Sequence, residues 1–422
     1  MAKKTILVVD DSKTITKALK YKLEEKDYEC LDAYSLEDCK NHLKTRRHDI
    51  SIALLDLNLP DAYAGEAVEV ANKFGIPSVI LTGSDIEAFR HLLELPHVAD
   101  YVIKEGQYSI EYALSLVNRL VHNRNKKVLI LDKNKNTAHD IALNLKKHLL
   151  KTYVASNVDD AEEVLMENAD ISLVVTGNEL DGSRDGLYLT KQIRKRHKKD
   201  EMVVIAISDE DEDAQKASKT SSMFLKFGAN DFLKRPFSNE ELFARINANL
   251  DSLDLFKDIH DKANRDFLTG MHNRRFFYET AGDIYHLAKQ SNTPLAIAII
   301  DIDHFKRVND DYGHEIGDMA IKVVGKILFK NLKKTDLAAR LGGEEFGIIM
   351  PKRTEEDVAM LMEQLRKAFD DHRIDLDVYE LKYTVSIGVC TSYEEHLEKM
   401  IGKADEALYM AKENGRNQVV VL

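Results

Sequence analysis

Thr5-Ile-Leu-Val-Val-Asp10-Asp11 is a short, β-branched run closed by two acids, and Lys127-Val-Leu-Ile-Leu-Asp132-Lys133 repeats it. Three further segments recur in the same order. Asp49-Ile-Ser-Ile-Ala-Leu-Leu-Asp56 returns as Asp170-Ile-Ser-Leu-Val-Val-Thr-Gly177, Pro77-Ser-Val-Ile-Leu-Thr82 as Met202-Val-Val-Ile-Ala-Ile-Ser208, and Asp100-Tyr-Val-Ile-Lys104 as Asp231-Phe-Leu-Lys234. The offset is roughly 120–130 residues, the size of a domain and too long for a solenoid repeat. Short, nearly all-apolar strands separated by amphipathic helical stretches predict two parallel sheets, each covered on both faces.

In such sheets ligands gather at the carboxyl ends of the strands. Asp10, Asp11, Asp56, Thr82 and Lys104 all fall there. Clustered carboxylates repel unless a hard cation sits among them, and Mg²⁺ suits oxygen ligands. The hydroxyl and the ammonium add a place for phosphoryl oxygens. The second copy has Gly177 where the first has Asp56, and Lys133 where the first has Asp11, while Asp132, Ser208 and Lys234 remain. A glycine cannot form an acyl phosphate, and Lys133 is expected to supply the charge a metal would have given. Asp181 and Asp185 lie in the following loop, away from strand ends.

Ser238 reads as a helix N-cap followed by the first-turn acids Glu240 and Glu241. Apolar residues then recur at three- and four-residue steps to about Asn264: Leu242, Ile246, Leu250, Leu253, Phe256 (or Leu255) and Ile259. This stripe fits packing within one chain and a seam between two chains equally well.

Beyond it, Leu295-Ala-Ile-Ala-Ile-Ile-Asp301-Ile-Asp303 reads as a buried strand ending in acids, with Asp301 and Asp303 on one face if the strand continues. Arg340-Leu-Gly342-Gly343-Glu344-Glu345-Phe346 reads as a hairpin with a Gly-Gly turn, its acids at the start of the second strand. Folding alone does not require two acids beside a turn. Asp301 with Glu344 and Glu345 makes a divalent-metal arrangement. Lys412 and Arg416 flank a glycine turn and offer cations to a polyphosphate, the combination phosphoryl transfer needs.

The net charge of −12 argues against non-specific nucleic-acid binding. The longest clean apolar run, Leu295 to Ile300, is too short to span a bilayer. Asp10 and Asp11 end the first apolar segment too early for a signal peptide. Cys30, Cys39 and Cys390 have no metal or redox spacing, which fits a reducing cytoplasm.

These motifs resemble known families. Residues 1–124 resemble a response-regulator receiver domain. By that likeness Asp56 is the phosphoacceptor, Asp10, Asp11 and Asp56 hold one Mg²⁺, Thr82 and Lys104 grip the phosphoryl group, and Tyr101 is the switch aromatic. The one departure is Gly65, a residue late after Pro60. Residues 125–252 resemble a receiver that cannot be phosphorylated, an adaptor or dimerisation spacer.

Residues 253–422 hold the connector helix and a region resembling the GGDEF diguanylate cyclase domain, an α/β fold with a mixed central sheet. The motifs that carry this likeness are Asp266-Phe-Leu-Thr-Gly270, Asp301-Ile-Asp-His-Phe-Lys306 with Asn309 and Asp318, Gly342-Gly-Glu-Glu-Phe346, Val385-Ser-Ile-Gly-Val389, and Ala404 to Lys412 with Gly415-Arg416-Asn417. The resemblance implies a set of roles. Asp301, Glu344, Glu345 and the Ile302 carbonyl hold two Mg²⁺, with Mn²⁺ as substitute, and Glu344 is the base. Glu345 helps at the metals. Asn309 and Asp318 read guanine, Phe305 belongs to the substrate site, and Gly342 and Gly343 let the backbone approach the phosphates. Lys306, Lys412 and Arg416 neutralise the triphosphate.

The whole order resembles PleD-type response regulators. It implies GTP as substrate, a homodimer through receiver and cyclase domains, and a cognate histidine kinase, with neither nucleic acid nor membrane insertion. The family's Arg-X-X-Asp product site reads Lys333-Lys334-Thr335-Asp336 here, and Met360 and Gln364 stand where supporting arginines are usual. Lysine lacks arginine's planar fork, so weak or absent product inhibition is expected.

Overall fold

The computed structural model describes residues 3–83, 86–104, 108–208, 214–375 and 380–422. They fall into two compact units, Met1–Lys257 and Asp258–Leu422.

The first unit holds both repeats. Strands β1 (Thr5–Val9), β2 (Glu29–Ala33), β3 (Ile50–Asp56), β4 (Ser78–Thr82) and β5 (Val98–Ile103) form a parallel sheet in the order β2-β1-β3-β4-β5. Strands β6 (Lys127–Leu131), β7 (Lys151–Ala155), β8 (Ile171–Gly177), β9 (Val203–Ile207) and β10 (Asp231–Leu233) repeat that order in a second parallel sheet. Strand alternation divides the first core in two. Ile6, Val8, Ile52 and Leu54 pack with Leu19, Leu23 and Leu120 on one face, while Leu7, Val9, Ala53 and Leu55 pack with Cys39, Leu43 and Val68 on the other. Burial on both faces is why these strands read as continuous apolar runs.

The connector helix spans Asn239–Asn264, and Ser238 caps it by accepting the Glu241 N–H at 3.1 Å. Leu242, Ile246, Leu250 and Leu253 are buried in the core of the second sheet. Packing within the chain therefore accounts for the stripe as far as Leu253. Past that point Leu255, Phe256 and Ile259 are 60%, 53% and 53% exposed.

The second unit is built on a mixed six-stranded sheet. Its strands are β11 (His272–Asn273), β12 (Leu295–Ile302), β13 (Leu337–Gly342), β14 (Glu345–Pro351), β17 (Val385–Cys390) and β18 (Val419–Val421), in the order β11-β13-β14-β12-β17-β18. A separate pair, β15 (Ile374–Asp375) and β16 (Glu380–Leu381), completes it. The central pairs are antiparallel and the two outer pairs parallel. β12 is buried along its whole length. Among the described residues no helix is long and apolar enough to cross a membrane.

Candidate functional site

At the carboxyl edge of the first sheet, Asp10, Asp11 and Asp56 bring ligand oxygens within 4.8 Å of one another. Asp10 is held from below, its Oδ1 accepting the Ser12 N–H at 2.9 Å and its carbonyl accepting Thr16 Oγ1 at 3.1 Å. Lys104 Nζ lies 2.7 Å from Asp10 Oδ2 and 2.6 Å from Asp56 Oδ2. Burial pushes the Asp56 carboxyl above its ordinary value, against the pull of Lys104. Burial alone would lower Lys104, but Asp10 and Asp56 together outweigh it and its pKa is raised. Thr82, fully buried, ends β4, and Tyr101 is half-buried on β5. Three carboxylates and one ammonium leave a net charge near −2, which a divalent cation matches. The sequence-derived set Asp10, Asp11, Asp56, Thr82 and Lys104 is therefore assembled at one edge.

The second copy is neutralised differently from the expectation. Lys133 turns outward to Glu179 at 2.6 Å. Arg235, one residue after Lys234, pairs with Asp132, and its N–H donates to Ser208 Oγ at 2.8 Å. Lys234 itself is exposed. The residue at the place of Lys104 is thus Arg235, one position beyond the expected Lys234. Asp185 caps the helix Gly186–Arg196 through the Tyr188 N–H, and Asp181 bridges to Asn157. A Cβ at Gly186 would lie 2.0 Å from the Gly177 carbonyl, so helix and strand meet closely there, whereas a Cβ at Gly177 itself would meet nothing nearer than 3.6 Å.

In the second unit β12 and β14 place Asp301 opposite Glu345. The turn differs from the Gly-Gly reading. β13 runs through Gly342 at φ +154°, with a bulge at Leu341, and Gly343 at φ +49° forms the turn with Glu344. Only Glu345 begins the second strand; Glu344 is half-buried in the turn. Built Cβ atoms at Gly342 and Gly343 meet nothing within 4 Å, which leaves this backbone open to a ligand. Arg340 braces the turn from inside, donating to the Gly343 carbonyl at 2.9 Å and pairing with Asp266 at 3.1 Å.

Asp301 is buried, and Lys412 Nζ sits 2.9 Å from its Oδ2. Burial raises its pKa to about 6, with repulsion from Glu344 and Glu345 adding and Lys412 opposing. These three acids do not close within 4.8 Å as the receiver trio does. Even so, mutual repulsion around a buried acid is a donor set that a hard cation suits. Asp303 is a different case. Thr384 Oγ1 (2.7 Å), Ser386 Oγ (2.6 Å) and the Asn417 N–H (3.0 Å) all donate to it, so it ties the turn bearing Arg416 to the sheet.

Asn309, on the helix Phe305–Tyr312, has a buried Oδ1 with no hydrogen-bond partner. A Cβ at Gly317 would lie 1.9 Å from that oxygen. An orphaned acceptor held by a glycine is a feature a ligand donor would satisfy. Asp318 and Lys306 are exposed nearby in sequence, and Arg416, on the turn after the last helix at φ +65°, is exposed as well. The Phe305 side chain, by contrast, is packed in the core. Asp336, of the altered product motif, has no exposed side-chain surface and pairs with Arg353. Neither Met360 nor Gln364 predicts that partner, because Arg353 reaches it from the loop after β14.

The family model for the diguanylate cyclase GGDEF domain matches residues 263–418, and that for the response regulator receiver domain matches residues 128–247. The response regulator PleD of Caulobacter vibrioides is 31% identical over 306 residues, covering 70% of this chain and 65% of that protein. Diguanylate cyclase DgcP of Pseudomonas aeruginosa is 38% identical over 39% of this chain and 25% of its own length. The chain thus spans about two thirds of the first relative and a quarter of the second. A solved two-component system response regulator/GGDEF domain protein is 35% identical, covering 60% of this chain and 100% of that chain, with a TM-score of 0.55. With a duplicated receiver sheet followed by a mixed sheet carrying Gly342-Gly-Glu-Glu-Phe346, the chain belongs to the response regulators that carry a GGDEF diguanylate cyclase domain.

Proposed function

We propose that this protein condenses two GTP into cyclic di-GMP and two pyrophosphates, under control of phosphorylation at Asp56 by a histidine kinase, as a cytoplasmic homodimer. The observation that carries the reading is the buried Asp301, in register with Glu345 and paired to Lys412, beside a turn whose backbone is open to a ligand.

The Asn309 Oδ1 accepts from the guanine edge, and Asp318 adds a second acceptor. Lys412 and Arg416 take the triphosphate charge, with Lys306 at the mouth. Asp301, Glu344, Glu345 and the Ile302 carbonyl would hold Mg²⁺, with Mn²⁺ as substitute. A cation held there would supply Lewis-acid activation of the attacking 3′-hydroxyl and charge stabilisation for the leaving pyrophosphate. Glu344 receives the hydroxyl proton. One chain supplies one GTP, so two cyclase domains must face each other for each 3′-oxygen to reach the other α-phosphate. Phosphorylation then acts on the geometry or population of that dimer.

The test is incubation of the full chain with GTP and Mg²⁺, with and without beryllofluoride, reading cyclic di-GMP. Product that rises with beryllofluoride is expected, and Asp301→Asn should lower the rate at least about 10²-fold. A folded dimer that makes no product under either condition would sink the enzyme reading.

A further inference from the structure

The turn that presents Arg416 has a conformation that helix capping alone does not require. The helix Leu397–Glu413 ends at Asn414. Gly415, at φ +109°, takes the left-handed position past the cap, and the Arg416 N–H donates back to the Ala411 carbonyl at 3.0 Å. One left-handed residue completes such an end. Here Arg416 at φ +65° and Asn417 at φ +44° continue it. Neither is glycine, and side chains in this region strain the backbone unless their surroundings hold them there.

The groups that hold them lie on the helix Glu355–Asp371. Glu363, Arg366 and Asp370 recur at three- and four-residue steps, so their side chains share a face. Glu363 fixes the Arg366 guanidinium by two bonds, 2.9 Å from Nε and 2.8 Å from Nη2. That leaves Nη1, which donates to Asn417 Oδ1 at 2.8 Å. Asp370 also accepts from the Asn417 side chain, and its carboxyl is held below the ordinary value first by Lys382, 2.9 Å away, and then by Asn417. Asp303 accepts the Asn417 N–H at 3.0 Å. Asn417 is thus fixed from three sides. The Arg366 side chain is only 15% exposed, whereas Arg416 is open to solvent. The restraint is internal, and the residue next to it in sequence is free to meet a ligand.

We propose that Arg366, oriented by Glu363 and acting through Asn417, is a positioning residue that sets the Arg416 turn for the triphosphate of the substrate. This rests on the reading of Arg416 as a triphosphate cation. Arg366 acts without touching the substrate. Its planar fork engages Glu363 with one edge and Asn417 with the remaining nitrogen, which a lysine cannot do at once. Released from it, Asn417 relaxes out of the left-handed region and Arg416 turns away from the phosphates. Ground state and transition state lose the same contact, so affinity falls while the chemical step is kept.

A double-mutant cycle on the full chain tests it. The probe is 3′-deoxy-GTP with Mg²⁺, which lacks the attacking hydroxyl and so reports binding without turnover. Arg366→Ala should weaken its binding about five- to tenfold. With GTP the same variant should raise KM by that factor and leave kcat within about twofold. Arg366→Lys, which keeps the charge, should recover part of the loss. In an Arg416→Ala background Arg366→Ala should add less than about twofold, whereas in a Lys412→Ala background its full factor should persist. If circular dichroism shows Arg366→Ala unfolded, Arg366→Lys carries the same cycle with a smaller factor. Coupling to Arg416 in a protein that makes no cyclic di-GMP supports the positioning role and refutes the cyclase reading alone. Product made without that coupling keeps the cyclase reading and overturns the positioning role alone. An equal factor with and without Arg416, unchanged affinity in Arg366→Ala, or no binding of the probe by the wild type also overturns it.

Discussion

Asp303 stands two residues from Asp301 in a motif where the two look equivalent, yet the structure separates their roles. Asp301 faces Lys412 and the glutamates, whereas Asp303 is saturated by Thr384, Ser386 and the Asn417 N–H. Asn at 303 replaces one acceptor oxygen with an amide donor and leaves a buried partner unmatched. The expected cost is about 1–3 kcal/mol of stability, read by urea unfolding. Because Asn417 follows Arg416, the GTP KM should rise several-fold, and by more than kcat falls. An unchanged KM would remove the positioning role. Asp336 gives a second case at this scale. With Arg353 occupying it, Lys333→Arg alone should not create product inhibition, and the pair Lys333→Arg with Arg353→Ala should. Initial rates against added cyclic di-GMP decide this. The acids proposed for catalysis stand out in the sequence because adjacent acids at a glycine turn have no folding purpose. Arg353, Arg235 and Arg340 do not, because an arginine's reach is set by the loop that carries it, and spacing does not encode that.

Strands carried most of what the sequence revealed, since burial on both faces makes them continuous apolar runs whose ends mark the site edge. The Gly-Gly pattern places the hairpin turn one residue early, because Gly342 stays in the strand and Gly343 makes the turn with Glu344. What pattern could not show is how elements meet. Asp100 of β5 lies in a cleft with Tyr112 and Glu240, the latter in the first turn of the connector helix. Burial, with Glu240 adding, raises its pKa to about 6 from 3.8. An acid whose folded value is raised contributes stability below its unfolded pKa and loses it as pH rises through the folded one. The wild type should therefore lose stability relative to Asp100→Asn between pH 3.8 and about 6. The variant should match wild type near pH 3.5 and exceed it by roughly 1–3 kcal/mol at pH 8. His148, stacked 3.5 Å from Phe243 and held by burial at about 3, slopes the opposite way in both proteins and cancels in the difference. Urea midpoints at the two pH values measure it, and a difference independent of pH would contradict the assignment.

Across the molecule, two receiver-like domains of one topology have opposite electrostatic needs. The first leaves about two negative charges at its carboxyl edge, while in the second Arg235 pairs with the corresponding acid, Asp132. The proposed control is therefore asymmetric. Asp56→Asn should abolish the response to beryllofluoride and leave basal synthesis, whereas Arg235→Ala should change stability without creating a second acceptor, because Gly177 has no side chain to phosphorylate. Under the proposed control, the element that joins receiver to cyclase is the connector helix, continuous from Asn239 to Asn264. Its first half is buried by the second sheet, so that part is spoken for, and its second half bears the exposed Leu255, Phe256 and Ile259. An isolated helix leaves such residues in water at about 25 cal/mol per Å², and a second copy of the helix would remove that cost. Phe256→Glu with Ile259→Glu should thus weaken self-association and make synthesis depend steeply on protein concentration, while GTP binding per chain stays unchanged. Sedimentation alongside initial rates tests this. If the double variant is still dimeric and fully active, the helix is not the seam and the cyclase domains are brought together elsewhere.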